Sequence, residues 1–88
     1  MKVQNMVSIN GNKVPNQFII TDGDEIYFQS YDSIIAKENT RTNSITLDAK
    51  YWNYSRTTGK YRNIFLGEGT KETRKKINDG IYMIGNLN

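Results

Sequence analysis

The sequence predicts a small α+β domain, an antiparallel sheet of about five to seven short strands with one short helix near residues 70–79. Three observations carry this. Short β-branched and aromatic runs follow one another, punctuated by the hairpin signals Asn10-Gly11 and Asp22-Gly23. One stretch, "TKETRKKIND" (70–79), holds helix formers and almost no β-branched apolar residue. The length, 88 residues, is that of one domain, so residues 1–88 are read as a single domain.

The elements follow in order. "VQNMVSI" (3–9) places Val7 and Ile9 two apart and ends at Asn10-Gly11. Pro15 has no N–H for a ladder, so it belongs at a strand edge or in a connection. "QFIIT" (17–21), "EIYFQS" (25–30), "SIIAK" (33–37) and "SITLD" (44–48) read as further strands, with Tyr31-Asp32 as a turn and "ENTRTN" (38–43) as a polar loop. Gly59 is expected to turn the chain between strands "YWNYS" and "KYRNIFL". In the helix, Thr70 is the expected N-cap and Gly80 the C′ residue. Glu72 in the first turn and Lys75 and Lys76 in the last suit the helix dipole. With Ile77 as its one large apolar residue, this helix should pack weakly. "IYMIGNL" (81–87) reads as a closing strand.

Composition narrows the chemistry. There is no cysteine and no histidine, which removes Ser-His-Asp and Cys-His nucleophilic sites, disulfides and nearly all zinc sites. Asp22, Asp24 and Glu25 cluster in "DGDEI", but without the spacing of a calcium loop they read as solvated hairpin charges. Asp32 and Asp48 are acid–base candidates only because they flank strands. "GEGTK" precedes the helix, where backbone N–H groups attract phosphate. It does not match the Walker pattern and reads as a strand-to-helix turn. No enzyme activity, metal or cofactor is expected. The N-terminal "MKVQNMVSIN" has no apolar run of signal-peptide length, and no segment is apolar enough to span a bilayer. The expectation is a cytoplasmic protein with no membrane partner. A core drawn from 36% hydrophobic residues is modest, and a homodimer would add to it.

The net charge of +3 hides an asymmetry. Residues 50–76 carry eight basic and two acidic side chains, a net +6, against four basic and seven acidic elsewhere, a net −3. Five of the ten aromatic residues lie in the same segment, including the one tryptophan. Such a split points to a polyanion or an acidic protein surface as partner. Trp52, Tyr54 and Tyr61 are candidates for stacking on bases, and Lys50, Arg56, Lys60 and Arg62 for contacting phosphates, with Lys71, Arg74 and Lys75 extending the basic surface. Aromatic residues and arginine also dominate protein–protein hot spots. Equally, Trp52 and Phe65 can be core residues beneath a solvated basic face. In a strand, Lys60, Arg62, Ile64 and Leu66 would share one face and Tyr61 and Phe65 the other. Ser55, Thr57 and Thr58 can bond local backbone groups and shape a turn or a helix start that presents Arg56.

"YFQSYDSIIAK" (27–37) followed by "YWNYSRTTGKYRNIFLGE" (51–68) resembles a family of small proteins from phages and prophages of Gram-positive bacteria, a domain of unknown function. The resemblance covers roughly residues 16–68 and implies context rather than activity. It implies a phage-type accessory protein that binds a host or anti-phage-defence nucleoprotein complex, for example as an anti-CRISPR inhibitor. The alternatives are a direct DNA- or RNA-binding module and a small virion assembly protein.

Overall fold

The computed structural model describes residues 1–88. Five strands form an antiparallel meander: β1 (Lys2–Val7), β2 (Lys13–Asp22), β3 (Glu25–Ser30), β4 (Ser33–Asn39) and β5 (Ser44–Asp48). Two helices follow, α1 (Arg56–Leu66) and α2 (Thr70–Asn78), and then β6 (Met83–Gly85). The strands lie in chain order across one six-stranded sheet, with β6 parallel to β5. A parallel neighbour requires a crossover connection, and the two helices supply it. The predicted α+β class therefore holds.

The meander follows its turn chemistry. Gly23 opens a two-residue loop between the paired residues Asp22 and Glu25 and takes φ 61°, a conformation that glycine adopts without steric cost. Pro15 lies within β2, but neither neighbouring ladder has a rung there. The β1–β2 register shifts between Asn5 and Val7, and pairing with β3 begins at Gln17. β4 runs on to Asn39, which shortens the polar loop. The closing strand is shorter than the expected 81–87, because only Met83–Gly85 pair with β5.

The main departure is at Gly59. The hairpin expected there is the helix α1. Ser55 caps it, its Oγ accepting the N–H of Thr58 at 3.1 Å. Gly67 closes it in the left-handed conformation at φ 72°, its N–H donating to Asn63 O at 2.8 Å. Between the caps, Thr58, Tyr61, Arg62 and Phe65 recur at the three-and-four spacing of one helical face, so the strand alternation expected for 60–66 does not apply. The expected cap of α2 also moves by one residue: Gly69 is the N-cap and Thr70 the first helical residue.

The helices cover one face of the sheet. Phe28 stacks on Phe65 with ring centroids 5.8 Å apart, and Ser30 Oγ meets Thr58 Oγ1 at 2.9 Å in a buried contact. Met6, Val14, Phe28, Ile35, Ala36, Leu47 and Tyr82 form the core, with Ile19, Trp52, Tyr61, Phe65 and Ile77 packed against it. The opposite face carries the cross-strand row Val3, Ile20, Tyr27, Lys37, Thr46 and Met83.

Because the Ser55 hydroxyl satisfies a helix N–H that would otherwise lack a partner, Ser55→Ala is expected to destabilise the fold by about 1 kcal/mol. Urea unfolding followed by circular dichroism measures this; an unchanged midpoint would mean that α1 does not depend on its cap.

Candidate functional site

The basic segment is wrapped around one buried residue. Arg62 is fully buried at 0% exposure. Its Nη1 donates to Trp52 O at 2.6 Å and to Asn53 Oδ1 at 3.1 Å. Its Nη2 donates to Asn63 Oδ1 at 2.9 Å and to Thr70 Oγ1 at 2.6 Å. The planar guanidinium thus ties the loop before α1, α1 itself and the start of α2, a span that a lysine ammonium cannot bridge with one fork of donors. Nε has no partner, and no carboxylate lies within ion-pair distance. Burial first, and then repulsion from Arg74, push its pKa down, with Glu68 opposing. The group still stays charged, because an arginine does not lose its proton in proteins. Its charge is solvated by neutral oxygens and the face of the Trp52 ring.

This places the predicted residues in two groups. Arg62 cannot touch a partner, contrary to the expectation that it contacts phosphate, because its four acceptors come from the protein itself. Trp52 is half-buried, and its ring carries the guanidinium groups of both Arg62 and Arg74, 5.2 and 5.3 Å from the ring centroid. Tyr61 is half-buried beside the core. Lys50, Tyr54, Arg56, Lys60, Lys71, Arg74 and Lys75 are exposed. Among these cations, Lys75 is paired with Asp79 at 3.7 Å, while Lys50, Arg56, Lys60, Lys71 and Arg74 pair with no carboxylate. The helical layer therefore presents uncompensated positive charge.

Above Arg62 lies a polar cleft of about 380 Å³ lined by Asn53, Ser55, Arg56, Gly59, Lys60, Asn63 and Thr70, without a hydrophobic or acidic side chain. Sequence reasoning singled out Arg56 and Lys60 but not Asn53, Asn63 or Thr70. Their signal is the helical spacing of Gly59 and Asn63, four residues apart, visible only once 56–66 is read as a helix.

The buried carboxylates serve structure. Asp48 Oδ2 accepts the N–H groups of Lys50 and Tyr51, and Oδ1 that of Leu87, at 2.8–3.1 Å. It borders a second cleft of about 310 Å³ beside Asn86 and Asn88. Glu68 accepts from Thr73, Lys76 and Tyr82 at 2.6–2.8 Å and so fastens α2 to the segment before β6. Burial alone would raise both pKa values. The N–H groups of Leu87 and Tyr51 outweigh it at Asp48, and Lys76, Thr73 and Tyr82 at Glu68, so both carboxyls sit below their ordinary range. No three His, Cys, Asp or Glu side chains converge as a metal site.

Fold and site together define a small α+β protein with a cationic two-helix face. The chain belongs to a family of unknown function, DUF8033, whose model matches residues 1–80. No curated protein and no solved structure matches it. No helix is long and apolar enough to cross a membrane.

Two outcomes follow from these buried charges. Arg62→Ala is expected to cost at least about 3 kcal/mol, since it strands several buried acceptors. Arg62→Lys should recover only part of that, and an Arg62→Ala protein as stable as the parent in thermal unfolding would contradict the assigned role. For the carboxylates, a folded pKa below the unfolded one means stability that is present above the unfolded values near pH 4 and is lost as pH falls below them. The urea midpoint should fall between pH 7 and pH 3, and less steeply in Asp48→Asn. An unchanged slope in that variant would remove Asp48 from the acid response.

Proposed function

We propose that this chain is a non-enzymatic binding protein that sets its helical face against a phosphate-bearing partner, the nucleic acid held in a host or anti-phage-defence nucleoprotein complex. The observation that carries the reading is the set of five exposed cations, Lys50, Arg56, Lys60, Lys71 and Arg74, that pair with no carboxylate. Long exposed cationic side chains left without a carboxylate partner are free to release counterions against phosphate. The carboxylates Asp48 and Glu68, with oxygens already taken by N–H and O–H donors, give no support to an acid–base role. The phage setting, a role such as anti-CRISPR inhibition and a site of action in the host cytoplasm rest on the sequence resemblance across 27–37 and 51–68.

A second reading has its own observation. β1 and β6 are the two sheet edges, and the uncovered face exposes Val3 on the first and Met83 on the second. Edge strands template pairing, so this arrangement also suits self-assembly, as a homodimer or in a virion. That reading predicts a sedimentation mass that climbs above 10.2 kDa with concentration.

The test measures binding to labelled single-stranded and duplex oligonucleotides and to a purified RNA-guided effector complex at about 50 and 200 mM salt. With four phosphate contacts, affinity should fall on the order of 50- to 150-fold over that range. Lys50→Glu/Lys71→Glu, which changes two exposed side chains that pair with no carboxylate, should abolish it. Binding to bare oligonucleotide as tight as to the complex would make the chain a direct nucleic-acid module. No binding to either at the lower salt would overturn the proposal.

A further inference from the structure

We infer that the cleft between α1 and α2 is a binding site for one phosphate group. The inference rests on the reading above and gives that broad cationic face a discrete locus. Three features converge there. Arg56 and Lys60 stand on its wall without a carboxylate partner. The buried, permanently charged Arg62 lies beneath it, neutralised by no anion. Asn53 and Asn63 both turn their Oδ1 atoms to Arg62, and an amide presents an acceptor on one side and donors on the other. Asn53 Nδ2 is thereby left as a donor, while Asn63 Nδ2 makes one long contact, to Thr70 Oγ1 at 3.5 Å, and keeps its second hydrogen. The cation below thereby orders a second tier of donors in a cleft that holds no competing carboxylate.

Gly59 is the independent observation. A glycine inside a helix is costly relative to alanine, and here packing does not require one. A Cβ at residue 59 would meet Arg62 Nη2 at 3.8 Å, Arg62 Nη1 at 3.9 Å and Asn53 Oδ1 at 3.9 Å, all ordinary contacts. Alanine fits the fold. What it would take away is room at Gly59, the lining residue that lies against the buried guanidinium. The start of α2 forms the far wall through Thr70, and its N-cap Gly69 leaves the first turn without a side-chain cap, so N–H donors remain there for an anion.

The test titrates inorganic phosphate into the ¹⁵N-labelled protein at constant ionic strength, with chloride as the counter-titration. Saturable shifts confined to Gly59, the Asn53 and Asn63 side chains and Thr70 are expected. Arg56→Gln/Lys60→Gln should weaken binding about tenfold or more, the loss expected of charge-assisted hydrogen bonds. Gly59→Ala should weaken it comparably while raising the urea midpoint, which separates an open cleft from a structural need for glycine. Shifts spread evenly over the basic surface, or affinity unchanged in both variants, would overturn the site. Trinucleotides with and without a 5′-phosphate distinguish the source: preference for the phosphorylated form assigns a terminal monoester, and equal binding a backbone diester. Phosphate binding without any oligonucleotide or effector-complex binding keeps the cleft and removes the nucleoprotein reading. Oligonucleotide binding without a response at Gly59 and Thr70 does the reverse.

Discussion

The helical layer depends on one buried cation. An arginine taken out of water without a carboxylate partner is a large desolvation cost, and the fold offsets it with oxygens from four residues in three segments. Remove any one segment and the guanidinium loses part of its solvation. The loop before α1, the middle of α1 and the start of α2 are therefore ordered together or not at all. That coupling matters because little else holds α2. Ile77 is the one large apolar side chain of α2, and Glu68 with Thr73, Lys76 and Tyr82 supplies its second attachment. The expectation of weak apolar packing was sound; polar networks do the fastening.

Polar fastening fixes geometry more narrowly than apolar contact does. Two greasy surfaces can slide at little cost, whereas a planar fork with set acceptor directions cannot. The residues around the cleft are therefore held at one spacing even in a domain whose core is small. Trp52 takes part in the same arrangement. Its ring lies against two guanidinium groups, so the one tryptophan acts as a surface for arginines of its own chain.

How much of this was legible in the sequence divides along physical lines. The meander was, because strand residues alternate and Asn-Gly and Asp-Gly punctuate them. The helix at 70–79 was, because its charges match the dipole. The stretch 56–66 was read as a hairpin because Gly59 and the flanking aromatics are turn and strand signals in isolation. The opposing signals, Ser55 and Gly67 as caps and the recurrence of Thr58, Arg62 and Phe65, favour a helix only if Arg62 counts as an inward residue. Nothing local says so. Arginine is rarely fully buried, and its burial here requires acceptors from Asn53 and Thr70, whose proximity exists only in the folded chain. The cleft was out of reach for the same reason, whereas its rim, Arg56 and Lys60, was identified from charge alone. The parallel pairing of β6 likewise emerges only from the two-helix crossover.

The topology also explains why the charge asymmetry has consequences in space. Acidic residues concentrate in the hairpins of the meander, at Asp22, Asp24, Glu25 and Asp32, while the crossover between β5 and β6 carries most of the cations. Because the crossover packs as a layer on one face of the sheet, a bias along the chain becomes a bias between one side of the molecule and its turns. A field arranged in this way draws anions to the helices and away from the hairpins. Within that layer, potential is highest where cations cluster and solvent screening is least. Arg62 is the one cation of this layer fully shielded from solvent, and exposed cations stand over it at the cleft. Steering by the whole face and capture at one point are then two scales of the same electrostatic arrangement.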